Sequence, residues 1–350
     1  MKFLKPLAFL VVLITFISCS NDENQSVSPT PAGNNVYITG TERNSSGNRI
    51  AKYWKNGVVT NLTDGTKDAI TSSIYVLGND VYIAGSETNS SGTFIAKYWK
   101  NGTAVSLTNG NYEAYAESVF VVGNDIYVAG WELTPAAVNF KAKYWKNGVE
   151  VNLTNGLTQA IATSITVVGT DVYVAGDEYT GSGKAIPKYW KNGIATSLTN
   201  GNISTTLNSI KVVGNDVYAS GYTYEVNDRA RYWKNGVLTN LTDGTNNSYS
   251  STVDVFENNV YVVGHEKSPT TGKNVAKYWK NGIATSLTNG NNDASLSDIS
   301  FFENDIFVIG SEKNPTTGKY VAAYWKNGVI TNLTDGSNNA TLYSIFVSSN

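Results

Sequence analysis

"YWKNG", first written at Tyr53–Gly57, returns unbroken at Tyr98, Tyr144, Tyr189, Tyr232, Tyr278 and Tyr324, about 45 residues apart. Asn-Gly between two strand-forming runs is a strong local signal for a two-residue hairpin, because a type I′ turn needs positive φ at both central positions. Lys55 and Val58 are therefore expected to flank a tight turn. Three further segments recur around this one in fixed order. Upstream stands "NDVYIAG" at Asn79, echoed by "NDIYVAG" at Asn124 and "TDVYVAG" at Thr170. Before it comes "SSIYVLG" at Ser72, echoed by "ESVFVVG" at Glu117, "TSITVVG" at Thr163 and "NSIKVVG" at Asn208. After the hairpin comes "VVTNLTDG" at Val58, echoed by "VEVNLTNG" at Val149.

Each segment has strand length and is rich in β-branched or aromatic residues. Gly78-Asn79-Asp80 is expected to turn strand one into strand two. A longer polar stretch, "ETNSSGTFI", joins strands two and three. No helical periodicity follows the leader. A repeat of this length holding four antiparallel strands is a propeller blade, and seven copies predict an all-β, seven-bladed β-propeller. No single unit can bury its own faces, so the core must be shared between neighbours. The propeller opens on "GNNVYITG", a strand two lacking its strand one, and ends on "TLYSIFVSSN", a strand one with nothing after it. The C-terminal strand, with Ile345 and Val347 inward, is expected to complete the first blade and remove two open edges.

The domain reading is a leader over 1–18, a tether over 19–33 and the propeller over 34–350. The leader has Lys2 and Lys5, an apolar run from Leu7 to Ile17 and a small residue before Cys19. This is a secretory layout, too short and too early for a good transmembrane span. "FISC" resembles a bacterial lipobox, which implies a signal peptide and acylation of Cys19. Two or more acyl chains, palmitate among them, would anchor the protein stably to the outer membrane. The following "SNDE" resembles the surface-export signal of Bacteroidota lipoproteins. Ser20–Gly33, rich in Ser, Asn and Pro, reads as the tether.

The repeat resembles those of bacterial β-propeller families in secreted and surface proteins, which pair a "VYVxG" strand with an "AKxxxxG" strand. The resemblance covers roughly Asn34 to Asn350. It departs from WD40 repeats, lacking Trp-Asp, and from kelch repeats, lacking the double Gly. It implies an interaction platform.

Composition narrows the chemistry. The formal net charge is −2 and no basic stripe is visible, so no nucleic-acid partner is expected. Cys19 and His265 are the single cysteine and histidine, which excludes cysteine-based metal sites and thiol nucleophiles from the body. No metal or cofactor is expected. No Gly-x-Ser-x-Gly elbow, paired-His motif or phosphate loop is present.

Six blades carry a Glu two residues past the Gly ending strand two: Glu42, Glu87, Glu132, Glu178, Glu266 and Glu312, with Thr223 in blade five. Six carry a cation before Tyr-Trp: Lys52, Lys97, Lys143, Lys188, Arg231 and Lys277, with Ala323 in blade seven. Catalytic groups are few and asymmetric, so a cross-strand ion pair in each blade is the favoured reading over a carboxylate ring. The "LTDG" and "LTNG" tetrapeptides read as Asx and Gly turns rather than calcium loops. The Trp and Tyr of "YWKNG" read as core.

Function is expected where the repeat breaks. The position after the strand-two Gly reads Thr41, Ser86, Trp131, Asp177, Tyr222, His265 and Ser311. Trp131, Asp177, Tyr222 and His265 fall on consecutive blades, at the end opposite the tight turns, and form the candidate ligand-binding set. Aromatic rings beside polar groups suit a sugar or a peptide. On strand one the variable position reads Tyr75, Phe120, Thr166, Lys211, Asp254, Ser300 and Phe346. Lys211 and Asp254, on adjacent blades, are placed to pair near the channel. The expected protein is a monomeric, exported, lipid-anchored binding module for a cell-surface protein or polysaccharide. The alternatives are an enzyme acting on extracellular polysaccharide and a scaffold with no small ligand.

Overall fold

A computed structural model describes residues 33–135 and 139–349. The leader, Cys19, the tether up to Ala32 and the tip of the long blade-three loop lie outside the described residues. The described chain folds into twenty-eight strands in seven four-stranded antiparallel sheets, with no helix among the described residues. In blade two the strands are β4 (Ala69–Leu77), β5 (Asp80–Thr88), β6 (Phe94–Lys100) and β7 (Thr103–Ser106), hydrogen-bonded in chain order. Blades three to seven repeat this. Blade one is assembled from both ends: β28 (Ala340–Ser349) pairs antiparallel with β1 (Asn34–Arg43), followed by β2 (Arg49–Lys55) and β3 (Val58–Asn61). Ile345 and Val347 are buried, as the alternation in the sequence requires.

The Asn-Gly turns take the expected form, with Asn56 at φ 51° and Gly57 at φ 81°. The asparagine also has a second task. Its side-chain oxygen accepts the first free amide of strand two: Val36 N–H reaches Asn56 Oδ1 at 2.8 Å, and Val81 N–H reaches Asn101 Oδ1 at 2.8 Å. The same bond recurs in the other five blades. One residue thus supplies left-handed backbone and satisfies a buried donor.

Each tryptophan of the repeat is at most 2 % exposed and fills the seam between adjacent blades. Trp99 of blade two packs with Tyr37 and Ala51 of blade one and Ile74 and Ile83 of its own blade. This shared core makes the ring cooperative. The glycine ending "VYIAG" has a separate cause. Each innermost strand carries a β-bulge, between Thr71 and Ser73 in blade two. The bulge pushes the Ile70 carbonyl over Gly85, where a Cβ would lie 2.1 Å from that oxygen. The other six blades are equally tight, at 1.9–2.4 Å.

The bulge also turns two successive polar side chains into the central channel. Many of these link neighbouring blades. Ser73 Oγ accepts Val119 N–H, Ser118 Oγ accepts Ile165 N–H and Ser164 Oγ accepts Ile210 N–H. At the seam between blades seven and one, the serine is replaced by Asp298. Its carboxylate accepts Ile345 N–H and Ser344 Oγ–H, both at 2.9 Å, where β28 locks in. Burial pushes the Asp298 carboxyl up to about 6.

The two faces of the ring differ. The lower face carries only two-residue turns and both ends of the described chain. The upper face carries the longer connections. Exposed Val, Leu and Ile concentrate below. Leu77, Val122, Val168 and Val213 form an inner row over blades two to five, termed the inner circle, and the residue after Asn-Gly forms an outer one.

Candidate functional site

The seven positions after the strand-two glycine divide by burial. Thr41, Ser86, Asp177 and Ser311 are at most 8 % exposed, while Trp131, Tyr222 and His265 are half-buried at the upper face. The small polar residues tuck between blades. Ser86 Oγ accepts Ala116 N–H of the next blade, and Asp177 Oδ1 accepts Leu207 N–H at 2.9 Å in the same way. Asp177 is therefore inside the wall between blades four and five, with no surface for a ligand. Its Oδ2 has no protein partner, and burial pushes its carboxyl up to about 8. At neutral pH it is a protonated acid.

The other three residues fall into two clusters. In blade three Trp131 pairs in register with Tyr115 of the innermost strand, and the rings stack at 4.4 Å and 27°. Phe140, on the strand at its other side, lies 4.4 Å from the indole. Phe94 of blade two extends the row, 4.9 Å from Tyr115, with the Arg49 guanidinium 5.7 Å above Phe94. The Trp131 indole N–H donates to Glu117 Oε1 at 3.1 Å. Glu117 is the bulged residue of blade three, and burial among the channel walls raises its carboxyl above the usual range. Trp131 thus sits between two rings with its N–H engaged.

The second cluster spans blades five and six. Tyr222 meets Tyr249 edge-on at 4.8 Å, and Tyr249 pairs in register with His265 at 5.0 Å between rings. Tyr222 and Tyr224 share a hydroxyl–hydroxyl hydrogen bond of 3.0 Å. The Tyr249 hydroxyl donates to Asp228 Oδ2 at 2.5 Å; burial and that carboxylate push the phenol up to about 12. His265 Nδ1 is buried without a protein partner, and burial lowers the imidazole to about 4, so it is neutral at physiological pH. Tyr224 is the open member, 45 % exposed. The structure therefore brings Tyr222 and His265 together through Tyr249, and sets Trp131 in a separate cluster. The sequence reading missed Tyr115, Glu117, Tyr224, Asp228 and Tyr249. Tyr115 and Tyr249 stand where other blades have Ile, Thr or Ser, so aligning the start of strand one would have shown them.

Between the clusters opens the upper mouth of the channel, a cavity of about 500 Å³. Its wall is mostly hydroxyl, including Ser72, Ser118, Thr163 and Ser209, with Glu117, Asp298 and Tyr343. Deeper in, Lys211 pairs with Asp254 at 2.7 Å across the seam of blades five and six.

Five of the six repeated carboxylates form the expected ion pair, and Glu312, in the blade with Ala323, instead accepts from Asn292 Nδ2 at 3.4 Å. Glu42–Lys52, Glu87–Lys97, Glu132–Lys143 and Glu266–Lys277 pair at 2.5–2.6 Å, and Glu178 pairs with Lys188. In blade five, where Thr223 replaces the Glu, Arg231 turns to Glu225. Asp64 Oδ1 accepts Thr66 N–H and Oγ1–H, closing an Asx turn.

No protein-family model matches the chain, and no curated protein matches it. Among solved structures, an acylaminoacyl peptidase from Pyrococcus horikoshii is similar, with 13 % identity and a TM-score of 0.53 over 88 % of this chain and 52 % of that one. The β-propeller domain of the Trilobed protease from Pyrococcus furiosus is similar at 13 % identity and a TM-score of 0.52, over 89 % of this chain and 95 % of that one. A puromycin-hydrolyzing peptidase from Mycobacterium tuberculosis is similar at 9 % identity and a TM-score of 0.50, over 77 % of this chain and 47 % of that one. The chain spans about half the length of the two whole peptidases. At these identities the likeness shows the propeller fold alone. The Pyrococcus furiosus domain has an open velcro topology, whereas β28 closes the ring here.

Proposed function

We propose that this propeller is a binding module for an extracellular polysaccharide, held at the outer membrane through an acylated Cys19. One observation carries the reading. The repeat is broken on the upper face, and there two aromatic clusters flank a channel mouth walled by hydroxyls. Sugars are recognised by ring faces that cover their C–H surfaces and by hydroxyl and carboxylate groups that match their own hydroxyls. Tyr224 and Tyr222 supply the accessible rings, Asp228 and the channel hydroxyls the polar contacts. Trp131 acts as the support that holds Glu117 at the rim.

The test is a glycan-array screen of residues 33–350 beside Tyr224→Ala and Trp131→Ala. A hit lost in Tyr224→Ala supports the reading. A blank array, or a hit indifferent to both substitutions, removes it and leaves the protein-partner reading. Cross-linking on intact cells would then identify that partner.

A further inference from the structure

The outer circle of the lower face consists of Val58, Val149, Ile194, Val237, Ile283 and Val329, each 68–75 % exposed. They stand at one position of the fold, the residue after Asn-Gly, and blade two alone has a polar residue there, Thr103. Nothing in blade packing requires this. The strand that carries them lies outermost in its sheet, and blade two folds with Thr103. Together with the inner circle they make ten exposed Val, Leu and Ile on one side of the disc. They are spaced from blade to blade, with ion pairs such as Lys100–Asp80 and Lys146–Asp125 on the same face, so it is their repetition on one side that marks a contact, apolar studs among charges that can meet polar headgroups.

The surface is also level. Every loop on it is a two-residue turn, so no loop stands proud of the circles. A level face with apolar studs spaced around a ring suits a planar, deformable partner more than a shaped protein. The position of the chain ends selects the same partner. Asn34 begins β1 at the lower face, beside Asn56 of the first hairpin turn. The chain towards Cys19 therefore leaves from the side that carries the studs. Ser20–Ala32 amounts to 13 residues. Fully extended, they reach about 45 Å, so the tether permits the ring to lie against the bilayer without forcing it to.

We infer that the lower face is the membrane-facing side of the propeller and rests on a lipid surface through its two apolar circles. This rests on the reading that Cys19 carries the anchor. Val and Ile side chains enter the headgroup region, and the upper face with its channel mouth is directed away from the membrane. The ligand site is presented outward whatever the length of the tether.

The test uses the mature acylated chain in phosphatidylethanolamine–phosphatidylglycerol vesicles containing brominated lipid. Cys19 is the single cysteine of the sequence, so once it is acylated an introduced cysteine takes a thiol-reactive fluorophore alone. Ile194→Cys reports the lower face and Val226→Cys, fully exposed on an upper loop, the other. The expected result is quenching at 194 at least twofold greater than at 226. Replacing Val58, Val149, Ile283 and Val329 together by Ser is expected to reduce quenching at 194 at least by half. Equal quenching at the two sites, or no change in the serine variant, overturns the inference. So does a dimer in sedimentation that shields the label at 194. Intact mass is measured first. An unacylated Cys19 overturns the anchor itself, whereas an acylated chain with equal quenching overturns the orientation alone.

Discussion

Replacing Asp177 by Asn should change how stability depends on pH, and the size of the change follows from burial. The carboxyl has no exposure to water and is met by one backbone N–H, with no cation beside it. Its proton is held up to about 8, against an ordinary value of 3.8. Between those values the folded chain keeps a proton that the unfolded chain has released, so stability falls as pH rises. His265 acts in the opposite sense. Its imidazole is neutral down to about 4, while an unfolded one takes a proton below 6.5, so stability falls as pH drops through that window. The two slopes oppose each other between about 4 and 6.5. Asp177 acts alone above that, and at about 1.4 kcal/mol per pH unit it removes about 2 kcal/mol between pH 6.5 and 8. Asp177→Asn keeps the acceptor for Leu207 N–H and cannot ionise. Urea unfolding at pH 6.5, 8 and 9 should show the drop in the parent and a flat response in the variant, while from pH 5 to 6.5 the variant alone should gain stability, through His265. At pH 9 the variant should be the more stable, and at pH 5 slightly less so, because a second amide hydrogen is left unpaired. Asp177→Ser, which copies the Ser86 arrangement, serves as the second variant. Parallel pH curves for parent and variants would refute the buried, protonated carboxyl.

Five further outcomes are expected. Ending the chain after Thr341 removes the buried Leu342, Ile345 and Val347, at about 1.5–3 kcal/mol each, which is enough to lower the melting temperature by about ten degrees in calorimetry. Gly85→Ala drives a Cβ to 2.1 Å from the Ile70 carbonyl and should cost at least about 2 kcal/mol in denaturant titration. Gly92→Ala, with open space around it at φ 85°, should cost only about 1 kcal/mol. Asn101→Ala leaves Val81 N–H without its partner and puts alanine at positive φ, an expected loss of about 2 kcal/mol that Asn101→Gly halves. His265→Phe should remove the slope that offsets Asp177, so that stability rises by about 3 kcal/mol from pH 6.5 to 4 where the parent stays level, read by thermal unfolding across that range.

The architecture was legible because the repeat writes each cause seven times. Asn-Gly announces the hairpin, alternation announces the strands, and the unmatched ends announce the closing strand. The bulge was not legible. It is an extra residue in strand one, and its trace in the sequence is an unexplained glycine on the neighbouring strand. The candidate site was half legible for a related reason. The break in the repeat pointed to Trp131, Tyr222 and His265, but which of them meet depends on register and on seams between blades. Asp177 shows the limit most clearly. Its position is equivalent to theirs, yet its short side chain turns into the seam as Ser86 does, while the larger rings remain at the surface.

The pairing of β28 with β1 joins residues lying some 300 positions apart, and loop closure over that distance is paid late and in one step. During synthesis the first blade is the last of the seven to be finished. Until the final strand arrives, β1 offers an open edge and the hydrophobic seam under Trp54 lies uncovered. A chain stalled before β28 therefore differs from the closed ring in kind, since six complete blades still leave one sticky edge at each end of the arc. Asp298, waiting on blade seven, has Ser344 and Ile345 as partners only when β28 is present. It acts as a check on closure: the carboxylate gains these hydrogen bonds only once β28 has been made and has docked.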